Sequence, residues 1–518
     1  MEFDSKYIDQ QETTRLLDEE KETSYGGNGT SYDVISKKNA LDRSSESARW
    51  KSIRVMYLTI FTEAVTYSVI LPSIWSYILD IDETATATLL GWANSTQGLF
   101  ALLAGFICGW TAGRYNCKVP VTVTLIVGLM ANILYMCVYI PESHQITALI
   151  AARALAGIQA GCITVTRVYI SEGTTLKERT QISSNLVIAQ LIGYTVGPLL
   201  QVAYVPIGET GWTVGKLKIN VYTFPAITNL FIIFINLIFV IFVFREIRVP
   251  DEPDQHASKP DTDCCTEYQI VGSEGMVHID ISSIDLPLVM FLNAVYCVTI
   301  FSFGYNTTIV SPYGMHLLGW SREEAVEKSG IIALSLAILS IFVIAAMGRL
   351  LERFKDRVFL AIGIIMMIMC TTLAIPMGPG VPPRPDINMT TNSSDDGQGG
   401  CPWTYSWCDT TPSIAVAQYI VSLSVLGFGY PILQAITYII YCKTLGPNQQ
   451  GLFLGIFGAM GNTGRVVGPL LGTFIYTEFG VQWAEGCLLA LLTIVATGVF
   501  PFYKRMVPYT VYQKKCIS

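Results

Sequence analysis

Gly193-Tyr-Thr-Val-Gly197-Pro198 and Gly464-Arg465-Val-Val-Gly468-Pro469 are one pattern written twice, 271 positions apart. Two glycines a helical turn apart let a neighbouring helix approach to backbone contact, and the proline after them bends the helix there. Upstream of each copy stands a second repeated string. Gly109-Trp-Thr-Ala-Gly-Arg114-Tyr-Asn-Cys-Lys118 and Gly348-Arg-Leu-Leu-Glu352-Arg353-Phe-Lys-Asp-Arg357 both read Gly-x4-Arg-x3-basic, at an offset of 239. Two motifs repeated in the same order make the chain a tandem of two related halves. The offsets differ by 32, about the extra length of the polar stretch 377–412 over its short counterpart at 141–146.

The motifs sit in apolar blocks of about twenty residues, the length that crosses a bilayer as a helix. Of the 518 residues 51% are hydrophobic and 14% charged, against about 25% charged in an average soluble domain. That composition excludes a soluble enzyme. A net charge of -7 without a basic cluster also excludes a nucleic-acid binder. The blocks predict twelve transmembrane helices at about 55–78, 89–110, 119–140, 146–170, 182–206, 221–244, 286–310, 329–348, 358–376, 413–440, 452–475 and 485–503. The expected fold is an all-α membrane protein of two six-helix pseudo-repeats, 55–244 and 286–503, joined by a linker at 245–285. The tail 1–54 is polar and acidic, has no signal-peptide core, and is expected to be retained and disordered. A second tail covers 504–518.

Lys and Arg are kept on the cytoplasmic side of membrane proteins. With a cytoplasmic N-terminus, 25 of the 33 basic residues fall on that side, which then holds both tails and the linker. The stretch 377–412 lies on the other face. It carries two glycosylation acceptors, Asn388 and Asn392, and the pair Cys401 and Cys408, expected as a disulfide; both features belong to a luminal loop. The remaining cysteines are scattered through the spans as small hydrophobes, and no Cys or His spacing fits a metal. Without a Walker loop, ATP-driven pumping is not expected. No enzyme activity, cofactor or metal is predicted.

The tandem repeat, the basic turn and the Gly-x-x-x-Gly-Pro element resemble the major facilitator superfamily over about 55–505. Arg153-Ala-Leu-Ala-Gly157-Ile-Gln-Ala-Gly161 resembles that family's third motif, and the resemblance implies a proton-coupling role for Arg153. The basic turns would latch the cytoplasmic side by pairing with helix C-termini and with an acid across the halves. The first turn departs from the family pattern, with Gly113 for the usual acid and Asn116 for the usual glycine. Arg49-Trp50-Lys-Ser-Ile-Arg54, Ser73-Ile-Trp-Ser-Tyr77, Leu217-Lys-Ile-Asn-Val-Tyr-Thr-Phe-Pro225 and Leu445-Gly-Pro-Asn-Gln-Gln-Gly451 resemble one lysosomal member. That resemblance implies a lysosomal membrane and chloride conduction.

Function has to come from the charges inside the membrane, each costing several kcal/mol unless it meets a partner or a polar cavity. These are Glu63, Arg153, Arg167 and Arg465, with Glu485 expected at the luminal edge of its span. Arg153 and Arg167 lie about 21 Å apart near one helix face. Arg465 is expected at the midplane. If the arginines border a central cavity, it is positively biased and suits an anion. The alternatives are snorkelling, or pairing with Glu172 or Glu178, for Arg167; capping of freed carbonyls for Arg465; and burial against an arginine for Glu63. Thr59, Gln97, Asn132, Gln190, Asn229, Asn293 and Gln434 could line the cavity, though each alone reads better as interhelical hydrogen bonding.

In the first tail, Glu12-Thr-Thr-Arg-Leu16-Leu17 resembles the dileucine signal that clathrin adaptors read as an extended peptide. Tyr32-Asp-Val-Ile35 is a second candidate. The function expected is lysosomal transport of a small anionic solute by alternating access. An endolysosomal anion channel, with chloride its simplest occupant, and a non-transporting sensor or scaffold are the rival readings.

Overall fold

The computed structural model describes residues 30–506 except 142, 175, 216, 248–284, 351–353, 386–398 and 446–449. The sorting candidates Glu12, Leu16 and Leu17, the acceptors Asn388 and Asn392, and Glu352 and Arg353 lie outside the described residues.

The first half comprises α1 (Thr30–Ile70), α2 (Ile74–Ile81), α3 (Ala87–Arg114), α4 (Lys118–Met136), α5 (Gln145–Gln159), α6 (Cys162–Glu172), α7 (Leu176–Tyr204) and α8 (Phe224–Phe242). A small antiparallel hairpin, β1 (Trp212–Val214) and β2 (Leu217–Ile219), joins α7 to α8. The second half comprises α9 (Leu286–Leu318), α10 (Arg322–Leu350), α11 (Asp356–Ala374), α12 (Val416–Leu445), α13 (Gln450–Phe479) and α14 (Val481–Phe502). Helices satisfy their backbone internally, which apolar surroundings require. Large apolar side chains such as Phe231, Phe342, Ile494 and Phe500 point outward, as lipid-facing positions should.

Three expectations change. Among the described residues eleven helical stretches are long and apolar enough to cross a membrane. The eleventh expected span, 452–475, is helical within α13 but is not among those stretches. Its glycines, Asn462, Thr463 and Arg465 dilute its hydropathy, so the count of twelve does not stand on that criterion. Second, α1 begins at Thr30, inside the tail expected to be disordered, because no glycine or proline interrupts 31–71. Third, the span expected at 146–170 is broken at Ala160-Gly161 into α5 and α6.

The repeated glycines do the same work twice. A Cβ added at Gly193 would lie 2.7 Å from Phe61 O, and one at Gly197 2.7 Å from Val69 N, so α7 lies directly against α1. In the second half a Cβ at Gly464 would lie 2.4 Å from Cys297 O and one at Gly468 2.5 Å from Phe301 O, placing α13 against α9 in the same way. Pro198 and Pro469 both lie inside their helices.

Two faces of the bundle need names. The loop face carries the residues around 377–412; the linker face is where α8 ends and α9 begins. At the loop face the halves are bonded together. Ser76 Oγ donates to Arg322 O at 3.2 Å, Arg322 pairs with Glu83 at 3.3 Å, and Ser329 Oγ donates to Pro72 O at 3.2 Å. Cys401 and Cys408 are bonded to each other, and Tyr405 between them reaches the first half. Its hydroxyl accepts from Ala87 N at 3.4 Å, the start of α3, where Thr86 supplies no side-chain cap. Burial raises the pKa of that hydroxyl and keeps it neutral.

Candidate functional site

Glu63 and Tyr67 stand one turn apart on α1, so their side chains share a helix face. Both line a cavity within the first half, with Gln97 of α3, Asn132 and Tyr135 of α4, and Arg153 and Gln159 of α5. Glu63 is buried, and its Oε2 accepts from Gln159 Nε2 at 2.9 Å; the same amide donates to Thr66 Oγ1 at 3.1 Å. Arg153 is 1% exposed, and its Nη2 donates to Asn94 Oδ1 at 2.9 Å. Glu63 and Arg153 therefore line one cavity without forming an ion pair. The hydrogen-bond partner of Glu63 is an amide, which satisfies a carboxyl oxygen without adding a charge, while Arg465 acts on it electrostatically without a salt bridge.

Arg465 of α13 reaches this site from the second half. Its guanidinium sits 5.7 Å from the centre of the Tyr67 ring, and Tyr67 stands edge-on to Tyr194 at 6.1 Å. Tyr296 and Tyr430 also lie within its electrostatic reach. Arg465 is partly exposed and makes no salt bridge with a described carboxylate. A guanidinium over an aromatic ring is held by cation–π attraction while its N–H groups stay available.

Arg167 stands apart from this group. It is exposed, and Glu178, one of its two expected partners, pairs with Arg49 at 2.9 Å instead. Glu485, expected at the edge of its span, is fully buried and accepts from the Tyr305 hydroxyl at 3.2 Å. Among the uncharged candidates, Asn229 Nδ2 donates to Asn132 Oδ1 at 3.0 Å and Thr59 Oγ1 to Asn236 Oδ1 at 3.2 Å, both within the first half.

Among the described residues the basic turns meet helix ends of their own halves, as part of the expectation has it; Glu352 and Arg353 of the second turn lie outside those residues. Lys118 Nζ donates to Ile241 O at 2.9 Å, Arg114 stands over Trp110 at 5.8 Å, and Arg357 donates to Tyr503 O at 2.8 Å, all within their own halves. The cross-half bonds described above lie at the loop face.

Sequence reasoning missed Asn94, Gln159 and the tyrosines. Asn94 was not singled out, although its Nδ2 donates to Thr308 Oγ1 of the second half at 3.1 Å. Tyr67 could have been found from its spacing to Glu63. His316 was not singled out either; it is buried beside Trp75 at 6.1 Å and Tyr405 at 5.4 Å, with its Nδ1 3.1 Å from the Tyr476 hydroxyl.

Comparison with known proteins bears on the whole arrangement. The profile of the Major Facilitator Superfamily matches residues 56–386 and 400–515. The chain is 32% identical over 481 residues to major facilitator superfamily domain-containing protein 8 of Xenopus laevis, covering 89% of this chain and 93% of that protein. Among solved structures it resembles a D-xylose-proton symporter, with a TM-score of 0.58 at 13% identity over 89% of this chain and 99% of the other. It also resembles the human organic anion transporter MFSD10 (TETRAN), with a TM-score of 0.54 at 13% identity over 87% and 99%.

Proposed function

The chain belongs to the Major Facilitator Superfamily, a family of multi-pass membrane transporters, and on that premise we propose that it carries a small anionic solute across the lysosomal membrane by alternating access. The observation that carries this reading is Arg465: a cation between the halves, partly exposed, in a salt bridge with no described carboxylate and set against Tyr67, which lines the cavity. An arginine keeps its charge at any lysosomal pH, so the site attracts an anion under all working conditions. The bonds across the loop face favour a carrier over a continuous channel, because a carrier has to close one side while the other admits solute. In this reading the loop face is luminal and both tails are cytoplasmic, with glycans at Asn388 and Asn392. Clathrin adaptors then read Leu16 and Leu17. Glu63 is the carboxyl available for proton coupling.

The test reconstitutes the full chain in liposomes with chloride and ethanesulfonate as probe anions. Arg465→Gln removes the charge and keeps much of the length. It should lower protein-dependent uptake by about tenfold or more, the worth of a hydrogen bond to a charged group. Arg465→Lys should retain part of the uptake. Wild-type uptake by the Gln variant would overturn the role of Arg465. A rate that saturates with anion concentration supports the carrier, and large unitary currents would establish the channel instead.

A further inference from the structure

His316 occupies the last turn of α9, at the seam where the halves meet on the loop face. Its ring is 4% exposed and is enclosed from three sides: Trp75 of α2 stands edge-on at 6.1 Å, Tyr405 of the loop edge-on at 5.4 Å, and Tyr476 of α13 near-parallel at 6.0 Å. Among the described residues its one hydrogen-bond partner is the Tyr476 hydroxyl, 3.1 Å from Nδ1. Trp75 belongs to the first half and His316 to the second, so parting the halves at this face uncovers the ring.

A neutral imidazole fits this site and an imidazolium does not. Once charged, the ring donates from both nitrogens, and the seam is already short of acceptors, since Trp75 Nε1 is sealed there without a partner. The titratable groups that face the ring are the Tyr405 and Tyr476 hydroxyls, and among the described residues no charged side chain lies within its electrostatic reach. The charges on the neighbouring elements are engaged elsewhere. Asp80 pairs with Lys218 at 3.1 Å, Glu83 with Arg322 at 3.3 Å, Glu324 with Lys328 at 2.8 Å, and Asp409 with Arg384. Glu478 is exposed, and Glu485 accepts from Tyr305. Enclosing a cation here without a counter-ion costs far more than enclosing the neutral ring.

We propose that His316 is a pH-sensitive latch of the loop face, neutral while that face is closed and protonated from the solution on that side once it opens. The sign follows from where the proton binds. The open form takes up a proton that the closed form excludes, so acid on that side favours opening and neutral solution favours closure. His144, at the same face, is exposed with the face closed and supplies no such bias. The latch rests on the alternating-access reading and is independent of which solute is carried.

Double electron–electron resonance on the purified full chain measures the two forms. Spin labels at Thr86→Cys and Glu323→Cys, exposed positions of opposite halves at the loop face, go into a chain whose other free thiols are replaced by alanine. Between about pH 7.5 and about pH 5 the ratio of the long distance to the short one should rise about thirtyfold, the value for an imidazole of ordinary pKa, about 6.5, that titrates in the open form alone. In His316→Phe, which keeps an aromatic ring, the rise should shrink to about threefold or less. In His316→Arg, a cation at every pH, the long distance should prevail throughout, and His144→Gln should respond like the parent. A His316→Phe chain that keeps the parent's response would overturn the latch by placing the titration elsewhere. A parent whose two distances keep one ratio at both pH values would overturn it too, and either result leaves alternating access standing. A single distance in the parent at both pH values and in His316→Arg would sink alternating access and the latch with it.

Discussion

Asn94 on α3 ties Arg153 to the opposite half of the protein: its Oδ1 accepts from the Arg153 guanidinium at 2.9 Å, and its Nδ2 donates to Thr308 Oγ1 on α9 at 3.1 Å. One amide thus reports the state of the buried cation to the interface that rocking would have to break. Its two bonds differ in kind, since one goes to a charged group within the half and the other crosses between neutral groups.

Removing that amide should separate the two effects. Asn94→Leu leaves the guanidinium without this acceptor and should lower stability by about 1–3 kcal/mol; Thr308→Val loses only the cross-half bond and should cost about 0.5–1.5 kcal/mol. Thermal unfolding of the purified variants would show the order. Equal stabilities for Asn94→Leu and wild type would refute the assignment.

The glycines give a sharper contrast. Gly197→Val and Gly468→Val drive a side chain into the backbone of the partnered helix, and each should destabilise by at least 1–3 kcal/mol, about the cost of overpacking. Gly455→Ala and Gly458→Ala, where an added Cβ meets nothing within 4 Å, should instead be neutral or stabilising. Expression level and melting temperature across the four variants check this, and a uniform effect would contradict the packing described.

At the loop face, Tyr405→Ala withdraws both the ring beside His316 and the acceptor for Ala87 N. A membrane-impermeant thiol reagent applied from that face should then label a cysteine introduced at Thr308 faster than in the parent. Tyr405→Phe keeps the ring and should fall between the two. Identical labelling in all three would mean that the ring does not seal this face.

The address of the protein is tested in its tail. Replacing Leu16 and Leu17 with Ala empties the two positions that fill an adaptor's apolar pocket, so the protein should shift toward the plasma membrane. Immunofluorescence against a lysosomal marker measures the shift. Retained co-localisation would make Tyr32 to Ile35 the next candidate signal.

The sequence was most informative where physics left few options. Apolar block length and the repeated glycines led to the helices and to the matched contacts of α7 with α1 and α13 with α9, because a Gly-x-x-x-Gly pair has few uses in a membrane helix. The buried charges were visible for the same reason, as expensive residues in apolar runs. Their partners were not. Asn94, Gln159 and Tyr67 are residues that any helix tolerates, and only the packing of α3 against α5 and the cavity that α1 and α5 share turn them toward Glu63 and Arg153. The cross-half bonds at Ser76, Arg322 and Ser329 were equally hidden, since two of the three use backbone carbonyl acceptors that no residue type encodes.

The cap that Tyr405 places on α3 has a consequence for how the chain is made. Ala87 leaves the ribosome more than three hundred residues before Tyr405 does, so the first half inserts and packs while the amide at the head of α3 has yet to meet its acceptor. Synthesis of α9, α10 and α11 then has to finish before the lid exists. A nascent chain stopped anywhere in that interval carries an uncapped helix start and an open seam at the loop face, features by which a membrane chaperone or protease could tell an unfinished molecule from a completed one.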